Sequence, residues 1–155
     1  MAESDAQCLR FISKIRDYFE VTLEAHQFVL TECSCMRGGR ECVAMYEAPF
    51  VRLLVVLSDG SVSVLLGATV AAFPGPNYVD PMGRTGWYML SLLSELKSEK
   101  RVWTEERLQQ FWRGELDAYR FEAELFAEWA DRLLPLFEPN HDQSWREEFH
   151  RRFRV

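Results

Sequence analysis

Residues 27–67 read QFVLTECSCMRGGRECVAMYEAPFVRLLVVLSDGSVSVLLG, and this stretch decides the fold. Two runs of strand-forming residues are each divided by a turn, Arg37-Gly38-Gly39-Arg40 in the first and Ser58-Asp59-Gly60-Ser61 in the second. Gly-Gly and Asp-Gly between alternating apolar residues are hairpin signals, because both turn positions need a positive φ. With Gly38-Gly39 as a two-residue turn, Cys35 faces Cys42 and Cys33 lies beside them. One face then carries Val29, Thr31, Cys33, Cys35, Cys42, Ala44 and Tyr46. The other carries Phe28, Leu30, Glu32, Ser34, Met36, Glu41, Val43, Met45 and Glu47. In the second hairpin Val51, Leu53, Val55 and Leu57 share a face with Val62, Val64 and Leu66, which marks the core side of the sheet. Ala48-Pro49 joins the hairpins too tightly for anything but a meander.

Helical periodicity flanks this sheet. Ser4 and Gln7 form a capping box, and Cys8, Ile12, Ile15 and Phe19 follow at helical spacing, so a helix is expected from Asp5 to Phe19, with Val21–His26 open to either state. Residues 68–84, rich in Pro, Gly, Asn and Asp, read as a long connection. From Thr85 the period becomes 3.6. Met89, Leu92, Leu93 and Leu96 mark one helix, and Thr104 opens another that ends at Gly114. A longer helix spans Glu115 to Leu134, with Leu116, Tyr119, Ala123, Phe126, Ala130 and Leu133 inward. Ser144 and Glu147 suggest a cap for a terminal helix bearing Trp145, Phe149 and Phe153. The expected fold is α+β: a four-stranded antiparallel meander with an N-terminal helix and a C-terminal helical half, in one domain spanning residues 1–155.

The 155 residues carry a net charge of −6, which disfavours sequence-independent nucleic-acid binding and suits a basic protein partner. Met1-Ala2-Glu3-Ser4-Asp5 is acidic where a signal peptide would be basic, and Ser61–Tyr78 is too interrupted by Gly and Pro to span a bilayer as a helix. These features lead to the expectation of a cytoplasmic protein with reduced thiols and no membrane association.

His26, Cys33, Cys35 and Cys42 could be assembled into a zinc set, but zinc usually takes pairs whose turn wraps the metal. On a straight strand Cys33 and Cys35 would stand about 7 Å apart. A Cys35–Cys42 disulfide is geometrically possible and would require oxidising surroundings. The preferred reading is that these cysteines pack beneath a helix, with no metal and no cofactor assigned. The three histidines, His26, His141 and His150, suggest no nucleophile–base pair. The sequence contains no G-x-S-x-G, H-E-x-x-H, Walker or dinucleotide-binding pattern.

Asp117, Glu124, Glu128 and Asp131 recur on one outward stripe of the long helix, bordered by Trp129 and Tyr119. Acidic groups beside aromatics are the usual make-up of a protein interface. The expected contact set is therefore Asp117, Glu124, Glu128, Trp129 and Asp131, with Asn77, Tyr78 and Asp80 from the long connection.

The order of a leading helix, Tyr46-Glu47-Ala48-Pro49-Phe50-Val51-Arg52-Leu53, Val56–Val64 with its Asp59-Gly60 turn, and Gly86-Trp87-Tyr88-Met89-Leu90 opening a helical half resembles small bacterial α+β proteins of the polymorphic-toxin immunity type. The resemblance covers most of the chain in layout and rests on residues such as Tyr46, Pro49 and Trp87. It implies an acidic, non-enzymatic inhibitor that occludes one cognate toxin, its partner being a basic toxin domain. A cysteine-based metal- or redox-responsive module built on Cys33, Cys35 and Cys42 is the alternative from another class.

Overall fold

The computed structural model describes residues 3–75 and 85–153, with side chains from Asp5 onward. The Ser4 side chain, expected to cap the first helix, and the loop residues Asn77, Tyr78 and Asp80 lie outside what is described. Helix α1 (Glu3–Ala25) is followed by strands β1 (Val29–Met36), β2 (Glu41–Glu47), β3 (Val51–Ser58), β4 (Ser61–Ala68) and β5 (Trp87–Met89). Helices α2 (Leu90–Ser98), α3 (Glu105–Trp112), α4 (Ala118–Leu133) and α5 (Ser144–Arg152) complete the chain.

The strands form one antiparallel sheet in the order β1-β2-β3-β4-β5. The expected meander is present, but the sheet has five strands rather than four. Trp87–Met89 pairs with Leu65–Gly67 and is too short to display a period of two before the helix begins. Helix α2 accordingly starts at Leu90, not near Thr85. Close packing explains the glycine at this edge: a Cβ on Gly67 would meet the Gly86 carbonyl oxygen at 2.7 Å and the Trp87 ring at 2.9 Å.

Both hairpins keep the expected register near their turns. Asp59 and Gly60 adopt φ of 46° and 84°, as a two-residue turn of mirror-image type demands. The first connection instead closes as a 3-10 turn at Arg37–Gly39, while Cys35 still faces Cys42. Farther along, a bulge at Thr31 breaks the alternation, so Leu30 rather than Thr31 pairs with Tyr46. The Thr31 hydroxyl donates to the Met45 carbonyl (3.0 Å), and Val29 is left exposed on this edge strand.

Helices α1 and α4 cover one face of the sheet. Ile15 and Phe19 from α1, Leu53, Val55, Val64 and Leu66 from β3 and β4, and Phe126, Ala130 and Leu133 from α4 belong to a single buried core. The continuous apolar stripe of α1 runs on through Leu23, which extends the helix to Ala25. The opposite face buries Val43, Met45, Leu54, Leu65 and Trp87 beneath Ala71 and Phe73 of the long connection. Two hydrogen bonds fasten that cover, from Trp87 Nε1 to the Ala72 carbonyl (2.9 Å) and from Arg52 Nη1 to the Ala71 carbonyl (2.7 Å). The described part of this connection therefore acts as the second layer over the sheet.

Among the helices, Thr104 caps α3 by accepting from the Arg107 amide, and Gly114 follows with a φ of 73°. Helix α4 begins at Ala118, since Asp117 caps it by accepting from the Arg120 amide (3.2 Å). The start of α5 is held differently from expectation: Asp142 accepts from the Ser144 amide and hydroxyl, both at 3.0 Å, so the carboxylate does what the serine was expected to do. Tyr88, Phe137, Trp145 and Phe149 gather this end into an aromatic cluster.

Candidate functional site

The acidic residues of α4 divide by where neighbouring elements approach the helix. Asp117 receives the Tyr18 hydroxyl of α1 (2.8 Å) in addition to capping its own helix. Burial alone would raise its carboxyl, but the Tyr18 hydroxyl and the helix-start amides outweigh it and hold the group below the ordinary carboxylate range. Asp131 is 92% exposed in its side chain and pairs with His26 Nε2 at 2.9 Å. His26 Nδ1 lies 3.0 Å from the Thr22 carbonyl. A carbonyl and a carboxylate both accept, so this geometry suits the doubly protonated ring. Burial pulls the His26 pKa down, while Asp131 and the Thr22 carbonyl more than offset it, leaving it above the ordinary value.

Trp129 is only 7% exposed and belongs to the core, with the Arg132 guanidinium 3.7 Å from its ring centroid. It does not stand out from the surface as an anchor would. Glu124 and Glu128 remain exposed, and with Trp129 they line a cleft of about 680 Å³ between α4 and the α2–α3 segment. Lys97, Lys100, Arg101, Arg107 and Arg132 line the same cleft. The expected acidic stripe is thus part of a surface of both signs, because cations from α2, its following loop and α3 come alongside it.

Helix α3 was not assigned to an interface by its sequence pattern. None of its residues is buried, and Trp112 at its end is 74% exposed. The helix stands between the charged cleft, to which it contributes Arg107 and Gln110, and an apolar cleft of about 290 Å³ lined by Val62, Trp103, Leu108, Phe111 and Trp112. Its amphipathic spacing is legible, but only the structure shows that Leu108 and Phe111 on the apolar side are only partly buried.

On the other side of α4, Glu122 is 3% exposed and its Oε2 has no hydrogen-bond partner. Burial pushes this carboxyl up to about 8. Such a shift can mark a catalytic acid, yet Glu122 borders neither cleft flanking α3.

The cysteines form the densest chemical grouping. Cys35 and Cys42 are joined in a disulfide, with Cα atoms 4.1 Å apart. Directly opposed cross-strand residues bring their Cβ atoms within disulfide reach. The expectation of reduced packing residues is therefore corrected for this pair. Cys8 descends from α1 to place its Sγ 3.7 Å from that of Cys35, and the sulfurs of Cys8, Cys33 and Cys35 all lie within 4.8 Å of one another. The 7 Å separation expected for Cys33 and Cys35 from strand rise does not hold for their sulfurs, because the side chains converge beneath the helix. Burial, then the neighbouring Cys8, pushes the Cys33 thiol far above its ordinary value. Cys8 was legible as an inward residue of α1; its place over the hairpin depends on how α1 crosses the sheet.

Among the described residues no helix is long and apolar enough to cross a membrane. Compared with family models, with curated proteins and with solved structures, the chain matches none.

Proposed function

We propose that this chain is a non-enzymatic protein-binding module, an immunity-type inhibitor that neutralises a cognate bacterial toxin by occlusion. The observation that carries the reading is α3, a helix with no buried residue, which stands between a charged and an apolar cleft and exposes Trp112 at the apolar one. Tryptophan is enriched among residues that dominate binding energy, and a rim of mixed charge fixes the orientation of a partner. In this reading Trp112 anchors the contact, and Glu124 and Glu128 meet basic groups of the toxin. The net charge of −6 speeds capture of such a partner.

The product of the reading frame adjacent to this chain's gene provides the test. Co-expression is expected to restore growth arrested by that product, and the two proteins should copurify. Trp112→Ala should weaken the complex by at least about 10-fold, while Glu124→Lys with Glu128→Lys should mainly slow association. Absence of both complex formation and protection with the adjacent product would overturn the proposal. The alternative, a cysteine-based metal- or redox-responsive module, is favoured by a separate observation, the convergence of the cysteine sulfurs.

A further inference from the structure

We propose that Cys8, Cys33, Cys35 and Cys42 form a redox-gated tetrathiolate site for one zinc ion, closed by the Cys35–Cys42 disulfide and opened when that bond is reduced. This goes beyond the protein-binding reading and does not depend on it. The geometry supplies the first support. Sulfurs bound tetrahedrally to zinc at about 2.3 Å lie about 3.8 Å from one another, and Cys8 and Cys35 are already at 3.7 Å. Cys33 is within 4.8 Å of both, so it need close by only a small side-chain movement. Cys42 is held beside Cys35 by strand pairing. Its sulfur lies outside the close group of the other three, near the Gly39 carbonyl, and once parted from that of Cys35 must turn toward their centre.

The four donors come from α1, β1 and β2 rather than from a mobile loop, so the site is largely organised before any ion arrives. Thiolates are soft ligands and favour zinc over magnesium or calcium, which take oxygen donors. Four thiolates around a divalent ion leave two negative charges. Arg10 and Lys14 of α1 line a cleft of about 240 Å³ that Cys42 also lines, so two cations share the Cys42 side of the site. The same cleft offers a small thiol a route to the disulfide, and the two cations favour an incoming thiolate.

Opening requires a dithiol as reductant. It transfers two electrons and two protons to the disulfide, the sulfur–sulfur bond breaks to give the thiols of Cys35 and Cys42, and the reductant is released as its own disulfide. Zinc then replaces the thiol protons of the four cysteines as four zinc–sulfur bonds form. Oxidation of Cys35 and Cys42 by a disulfide of the reverse couple returns two electrons to it and removes two of the four ligands.

Cobalt(II) added to the full-length chain tests this, since tetrahedral thiolate coordination is visible in its absorption spectrum. The oxidised protein is expected to bind no cobalt. After reduction and anaerobic removal of the dithiol, one cobalt per chain should bind with sulfur-to-metal charge-transfer bands, and zinc should displace it. Cys8→Ser and Cys33→Ser should each weaken binding at least about 100-fold, with circular dichroism checking the fold of each variant. If one variant fails to fold, the other decides. A reduced protein with four titratable thiols that takes up no cobalt overturns the proposal, as does unchanged binding by the folded serine variants or cobalt uptake by the oxidised form.

Discussion

In the meander each buried side chain meets a partner assigned by strand register, whereas along α4 the partners arrive from the far end of the chain. Leu53 faces Leu66 and Val55 faces Val64 across a single turn. Asp117 instead bonds Tyr18, 99 residues away, and Asp131 bonds His26, 105 residues away. The sheet can therefore optimise its contacts within one hairpin. Helix α4 must satisfy α1, α2 and the sheet together, and it buries one carboxylate, Glu122, with an orphaned oxygen. Uniform apolar burial and locally conflicted burial coexist in one core.

The sharpest contrast comes from truncating one residue in each region. Leu53→Ala in β3 and Phe126→Ala in α4 remove side chains that are wholly buried, and each should destabilise the fold by about 3–5 kcal/mol in denaturant unfolding. A cost below about 1 kcal/mol at Phe126 would mean that α4 is not an integral layer of the core.

Glu122→Gln should act in the opposite direction. The Glu122 carboxyl titrates near 4.5 when unfolded and near 8 in the fold, so between these values the folded state holds more protons. Stability is consequently highest below about pH 4.5 as far as this group is concerned, falls as pH rises through the window, and stays low above about pH 8. Replacing Glu122 with a neutral amide should raise stability by up to about 5 kcal/mol above that window and flatten the pH profile. Urea unfolding of both proteins across the range checks this; parallel profiles would place Glu122 in contact with solvent or a cation.

The smallest effect belongs to the His26–Asp131 pair. His26 has a raised pKa in the fold, so its contribution is fully present below its ordinary value of 6.5 and is lost as pH rises through the higher folded value. Asp131→Asn should cost less than about 1 kcal/mol, because Asp131 is so exposed, and only at the acidic end of that range. An equal cost at alkaline pH would assign the effect to something other than the imidazolium.

These differences follow what could be read from the chain. The second hairpin was legible because Asp59-Gly60 and its alternating flanks are a local code, and the α3 cap at Thr104 was legible for the same reason. The Thr31 bulge and the three-residue β5 were not, since a single inserted residue and a very short strand leave almost no periodic signal. Glu124, Glu128 and Asp131 of the acidic stripe lie on α4 and Asp117 caps it, yet the surroundings of each depended on which elements crossed the helix. Those crossings put Trp129 in the core, brought Asp117 to Tyr18 and surrounded Glu124 and Glu128 with cations. Cys8 joined the hairpin cysteines by the same kind of long-range approach, which no spacing within residues 33–42 could reveal. Helix α3 adds the converse lesson: its periodicity is that of a packed helix, while its apolar side is only partly buried.

The convergence of α1 on the cysteine-bearing hairpin joins the legible region to the illegible one, and disulfide mapping by mass spectrometry tests it most directly. Alkylation of the native oxidised protein followed by proteolysis should recover a Cys35–Cys42 cross-link with Cys8 and Cys33 alkylated as free thiols. Mild thiol–disulfide exchange should add a Cys8–Cys35 link as the next species. A dominant Cys33–Cys42 link would contradict the strand register, and failure to form any link to Cys8 under exchange would contradict the placement of α1 over the sheet.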